Sequence, residues 1–360
     1  MVESPRWDLC FTTEGDDFAD FCSSYFSDER RMVLLFAGAG FDPRTLILPR
    51  ALRAILGARL DALFIREHRE EPARALLERA ETNVLDLLKI IPSASVEFVS
   101  IFAPDGSPIA GRNALTALST MNLAKYSDIV IDFSALSIGV SFPVVRHIRE
   151  LIQATELPAE LHLVVASSPQ TDDGIRAIVS DQTPYIHGFQ AAAGIKADDR
   201  AILWLPQLKL LTEPALEKLW RQIEPHDTCP ILPFPASNPR RADDLLFAFK
   251  DYLKEWDVDP RSVVYASEKN PLDIYRTLIR LYHEREEVFR ESGGSQIIVS
   301  PIGSKVVAIG TLIAALDRPI AIRYAEAERY IMDESIASAA AEPSLVHIWL
   351  SNTPQWEAVE

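Results

Sequence analysis

Residues 36–44, FAGAGFDPR, set Gly38 and Gly40 directly after an apolar run, with Asp42 and Arg44 close behind. Glycines at the end of a strand let the backbone turn sharply and come close to a ligand. This pattern suits a nucleotide-derived cofactor, and it suits a tight strand-to-helix turn equally well. A cofactor there needs an acid at the end of the following strand to hold ribose hydroxyls. LFIREHRE offers Glu67 for that role, flanked by Arg66 and Arg69. A second acid, Asp132, ends the apolar run of IDFSALSIGVSFP, with Ser134 and Ser137 after it. At a strand end it could meet a ribose or act as a base, or it could fix the turn.

Phosphate chemistry is suggested further along. In QIIVSPIGSK, Ser300, Gly303 and Ser304 form a loop, and Lys305 falls in the first turn of an apolar helix. The helix dipole disfavours a cation there, so an anion would offset it, and amides, hydroxyls and one lysine together suit a phosphate. The spacing is not that of a Walker loop, and Ser304 also fits a plain N-cap. In SNPRRADDLL, Arg240 and Arg241 could hold a phosphate in bidentate fashion ahead of Asp243 and Asp244, or could make ordinary ion pairs at a helix start. Lys269 and Asn270 follow another strand, and Asn270 before Pro271 reads as an N-cap with proline at N1.

Other chemistries find no pattern. The seven histidines show no HxH or HExxH spacing, and no GxSxG elbow occurs. The three cysteines include no CxxC pair, so no metal site is expected, and they fit a reducing, cytoplasmic setting. No catalytic set can be named, and no cofactor can be identified.

The elements that must carry these residues alternate. Apolar runs at 31–38, 60–67, 95–103, 127–136 and 161–169 are separated by stretches of helical spacing, and the same logic returns at 201–208, 261–267, 295–301, 319–325 and 344–351. Nearly continuous apolar strands are expected where helices cover both faces of a parallel sheet. The expected fold is α/β, a doubly wound, mainly parallel sheet in two Rossmann-like lobes. The lobes would span 1–170 and 201–360, joined by a linker or long loop over 171–200.

Three resemblances attach to these stretches. GAGFDPR is similar to the GAGxDTR loop of the leucine carboxyl methyltransferase group, with Pro43 where that group has threonine; the likeness implies S-adenosylmethionine against Gly38 and Gly40, with Asp42 and Arg44 nearby. GAG with the later His187–Gly188 resembles sirtuins, without the Gln-Asn-Asp segment between them. SPIGSK and its helix resemble the GGTK ligand loop of CARF-type Rossmann-like sensors of bacterial antiviral defence, with one glycine fewer. That likeness implies a nucleotide-binding sensor.

Composition bounds the function. The chain has 360 residues, 48% hydrophobic and 24% charged, with a formal net charge of −16. That balance fits a packed soluble protein and gives no basic face for general duplex nucleic-acid binding. No apolar run is long enough to cross a bilayer. The expectation is a nucleotide-like or phosphorylated small-molecule ligand. A cofactor-dependent enzyme at Gly38–Gly40 and a non-catalytic scaffold subunit are the alternatives, and a protein partner or homo-oligomer stays open.

Overall fold

The computed structural model describes residues 6–7, 10–70, 72–190, 200–333, 335 and 342–350. In chain order the first elements are β1 (Phe11–Glu14), α1 (Asp16–Tyr25), β2 (Val33–Gly38), α2 (Ile47–Leu56), β3 (Leu60–His68), α3 (Arg74–Ile90), β4 (Ser95–Ser100), α4 (Ala110–Leu118), β5 (Asp128–Asp132), α5 (Ile138–Gln153) and β6 (Glu160–Ser167). Then come α6 (Pro169–Gly174), β7 (Ile175–Val179), β8 (Ala201–Pro206), α7 (Glu213–Ile223), β9 (Asp227–Thr228), β10 (Ile231–Pro233), α8 (Arg241–Ala248), α9 (Lys250–Glu255) and β11 (Val264–Ala266). The chain closes with α10 (Pro271–Phe289), β12 (Ser295–Ser300), α11 (Lys305–Asp317), β13 (Ala321–Ile322), β14 (Ala327–Met332) and β15 (Ser344–Trp349).

The result is a mixed α/β protein with a mainly parallel central sheet and helices on both sides. Its seven strands run in the order β1-β15-β6-β5-β2-β3-β4. β2 to β6 are mutually parallel, while β15 lies antiparallel on β6 and β1 antiparallel on β15. Side chains alternate between the faces of a strand. Val33, Leu35 and Ala37 of β2 pack in one cluster with Phe18, Leu48 and Leu52 of α1 and α2. Leu34 and Phe36 point the other way and are equally buried. A sheet dry on both faces explains why its strands read as unbroken apolar runs.

The chain divides into two compact units, with boundaries at Asp8/Leu9, Ile175/Arg176 and Ala327/Glu328. The seven-stranded unit therefore takes back the C-terminal segment, and β15 completes its sheet. This differs from a lobe running over 201–360. β15 is buried at its centre, Val346, His347 and Ile348, with half-buried residues on either side, and its backbone pairs with β6. Nor is 171–200 a plain linker: α6 and β7 occupy its first part, and 191–199 lie outside the described residues.

The other unit holds a four-stranded sheet ordered β13-β12-β8-β9, parallel throughout. Trp204 and Ile298 pack against Leu216, Leu219, Leu245 and Phe249 on one face. α11 is buried from Val306 to Ala314. Its Gly310 lies so close to α10 that a Cβ would stand 2.1 Å from the Pro271 carbonyl oxygen.

Candidate functional site

The glycine loop after β2 is filled by the chain itself. A Cβ on Gly38 would stand 2.4 Å from the Ala135 carbonyl oxygen, so the loop after β5 crosses where a side chain would be. Gly40 has no comparable neighbour, its nearest being the same oxygen at 3.9 Å. The carbonyl of Gly40 accepts from Asn83 Nδ2 (2.8 Å), and that of Ala39 from Arg66 Nη1 (3.2 Å).

Asp42 caps a short 3-10 turn over Pro43–Leu46 and accepts the Arg44 amide. The Arg44 guanidinium is buried between two carboxylates, Asp42 (2.7 Å) and Asp172 (2.8 Å). Burial works against that charge, and the two carboxylates outweigh it, holding the guanidinium protonated well above its usual range. Asp132 accepts from the Ser134 amide (2.8 Å) and hydroxyl (2.5 Å), and Ser134 Oγ in turn accepts the Ala166 amide. These contacts account for Asp42, Arg44 and Asp132 without a ligand.

The candidates of the other unit have partners of the same kind. Ser300 accepts the Trp204 indole N–H at 2.9 Å, Ser304 caps α11 through the Val306 amide, and Lys305 is the first residue of that helix. Gly303 lets the Gln207 side chain approach, since a Cβ there would stand 2.7 Å from Gln207 Cδ. Arg240 is exposed at the start of α8, while Arg241 pairs with the buried Glu268 at 2.9 Å. Asn270 caps α10 through the Leu272 amide, and Lys269 is exposed with its amide on Ser267 Oγ. The 38–44 loop and the 300–305 loop are thus carried by different units.

A cavity of about 110 Å³ opens at the carboxyl end of β3, wholly within the seven-stranded unit. Three arginines line it, Arg66, Arg69 and Arg329, together with Glu67 and His68. Phe41, Phe98 and Tyr330 supply rings. Phe41 and Tyr330 touch at 5.3 Å between centroids, and the Arg69 guanidinium lies 5.0 Å over the Tyr330 ring. Phe98, on the edge strand β4, is 76% exposed.

Glu67 is used twice. Its Oε1 accepts the Ser137 amide at the start of α5 (2.7 Å) and its Oε2 pairs with Arg69 (2.7 Å). A carboxylate at a helix N-terminus is electrostatically favoured. Arg66 differs from Arg44 and Arg69. It is half-buried, its one hydrogen bond among the described residues goes to the Ala39 carbonyl, and no carboxylate there lies within ion-pair distance. Burial, only partly offset by the more distant Glu81, lowers its pKa. A partly desolvated cation with no bonded anion, facing a cavity, is the electrostatic signature of an anion site. Sequence reasoning reached Glu67 as a candidate ribose acid, flanked by Arg66 and Arg69. It missed Arg329 and Tyr330, which arrive on β14 from the far end of the chain.

Among the described residues no cluster of three or more His, Cys, Asp or Glu side chains is placed to hold a metal, and no helix is long and apolar enough to cross a membrane. No family model and no curated relative matches the chain. Among solved structures, a protein of unknown function from Pseudomonas aeruginosa PAO1 aligns at 7% identity and a TM-score of 0.24, covering 86% of this chain and 96% of its own. A GsuK channel bound to NAD aligns at 13% identity and a TM-score of 0.21, over 82% of this chain and 62% of that one. At such scores neither likeness bears on ligand or activity.

Proposed function

We propose that this protein binds a phosphorylated, ring-bearing small molecule of nucleotide type in the cavity at the end of β3. Arg66 carries the reading, because it is a half-buried guanidinium facing the cavity with no carboxylate partner among the described residues. Arg329, which also lines the cavity, adds a second cation, and the exposed Phe98 offers a face against which a planar ring can lie, beside the Phe41–Tyr330 pair. The strand order supports the same reading. Counted from β2, the parallel strands run β4-β3-β2-β5-β6, the 3-2-1-4-5 order of doubly wound nucleotide-binding sheets, which take ligands beyond the carboxyl ends of their strands. On this view both units are Rossmann-like lobes. A sensor role, and a place in antiviral defence, rest on the resemblance at 300–305 alone.

An S-adenosylmethionine or dinucleotide cofactor across Gly38–Gly40 has less support. The Asp42 carboxylate already stands at the start of the 3-10 turn, and the loop carbonyls are already bonded. The 300–305 loop is the alternative phosphate position in the other unit, and it has less support: Gln207 beside it buries a carbonyl oxygen with no hydrogen-bond partner among the described residues, an acceptor that calls for a donor rather than an anion.

A thermal-shift panel of nucleotides, cyclic oligonucleotides, NAD and S-adenosylmethionine separates these readings, since a ligand that binds the native state raises Tm. The cavity reading expects a shift with nucleotides that Arg66→Met abolishes and Lys305→Ala leaves intact. A nucleotide shift lost in Lys305→Ala and kept in Arg66→Met moves the site to the 300–305 loop. No shift with any compound removes the ligand-binding function and leaves the scaffold alternative.

A further inference from the structure

β3 is the second parallel strand counted from the one that carries the glycine loop. In doubly wound nucleotide-binding sheets the end of that strand meets the adenosine ribose. An acid there takes the vicinal hydroxyls, and an arginine nearby accommodates a phosphate carried on the sugar. Glu67 is the acid in that position, yet each of its oxygens already holds a partner that fixes its orientation. One accepts the Ser137 amide that opens α5, and the other holds Arg69. To leave either contact, the carboxylate would give up a charge-assisted hydrogen bond. The neighbouring guanidinium of Arg66 also lines the cavity and, among the described residues, is bonded to a neutral carbonyl and to no carboxylate; Arg329 is a further lining cation.

Resting on the reading of this cavity as an anion site, we propose that it recognises a phosphate monoester on the 2′ or 3′ oxygen of a ribonucleoside in place of the free diol. A guanidinium offers paired N–H donors that match two phosphate oxygens, whereas it has nothing to accept a hydroxyl proton. The base or sugar then covers the exposed Phe98 ring and the Phe41–Tyr330 pair. At about 110 Å³ the cavity itself takes the phosphate and part of the sugar, and the rest of a mononucleotide lies outside it against the exposed Phe98 ring. A diphosphate carried on across the glycine loop would meet the Asp42 carboxylate at the start of the 3-10 turn, where such groups normally find a helix N-terminus.

Calorimetric titration of the 360-residue chain with 2′-AMP, 3′-AMP, 5′-AMP and adenosine, at one fixed ionic strength, tests this. The expected result is that 2′-AMP or 3′-AMP binds at least about tenfold more tightly than 5′-AMP and adenosine, the discrimination expected when hydrogen bonds to a charged group are lost. The preference should disappear in Arg66→Met and in Arg329→Met. Arg329 is exposed, so its variant keeps the fold whatever happens at Arg66. Equal affinity for 5′-AMP and 2′- or 3′-AMP overturns the positional assignment and leaves the anion site standing. Equal affinity for adenosine overturns phosphate recognition altogether. Failure of all four to bind overturns the cavity reading itself.

Discussion

Gly38→Ala separates a glycine required by the chain's own packing from one required by a ligand. The new Cβ would lie 2.4 Å from the Ala135 carbonyl oxygen and 2.6 Å from its carbon. Both are backbone atoms, held between β5 and α5, so no flexible side chain can move aside. Overpacking costs about 1–3 kcal/mol, and a backbone obstacle puts this case near 3. For a unit of this size that is about 6–12 °C in Tm, at roughly 2–4 °C per kcal/mol. Gly40→Ala is the matched control. Its nearest neighbour is at 3.9 Å and its φ lies outside the left-handed region, so loss of chain entropy in the unfolded state makes the change neutral or stabilising by about 0.4–1 kcal/mol. Differential scanning calorimetry of the two variants beside the parent chain decides. A Gly38→Ala protein melting with the parent, or a Gly40→Ala protein falling as far as Gly38→Ala, would refute the packing account of this loop.

Arg44→Met would leave Asp42 and Asp172 facing each other without their cation, and removal of one member of a buried ion-pair group costs about 3–5 kcal/mol; urea denaturation should show it, and Asp172→Asn should restore part of the loss. Ser304→Ala removes the N-cap of α11 and should cost about 1 kcal/mol, read from the same denaturation curve. Acid should weaken the seven-stranded unit through His347, buried on β15 with Nε2 at 3.0 Å from His162 Nδ1 and Nδ1 at 3.0 Å from Thr13 Oγ. Burial, with the charge on His162 adding to it, holds His347 well below its usual value of 6.5. The folded state therefore binds fewer protons than the unfolded one. The stability is complete above about pH 6.5 and is lost as pH falls toward the lowered value, at up to about 1.4 kcal/mol per pH unit. Urea midpoints at pH 8, 7, 6 and 5 should fall more steeply in the parent than in His347→Gln.

The parallel strands were legible because each is dry on both faces. VLLFAG at 33–38 and DIVID at 128–132 are buried throughout. Strands β1 and β14, FTTE and AERYIM, show mostly exposed and half-buried side chains and carry no such signal. Helix caps were legible as well, since Ser304 and Asn270 act on amides two residues away. What sequence order hides is distance. Gly38 stands out as unusual, yet its reason is a carbonyl almost a hundred residues later. Arg44 looks like a ligand contact until Asp172 arrives from beyond β6. The cavity joins side chains from β3, α3 and β4 to two from β14, so its charge balance appears only when the chain has folded.

The most direct test is the affinity of the parent chain and Arg66→Met for a 2′- or 3′-phosphorylated adenosine, titrated side by side at one salt concentration. Loss of hydrogen bonds to a charged phosphate predicts binding that weakens about ten- to a hundredfold in Arg66→Met, with the Tm of the variant without ligand showing that it is folded. Equal affinity in the two folded proteins would contradict the assignment of Arg66, and with it the cavity at the end of β3 as the ligand site.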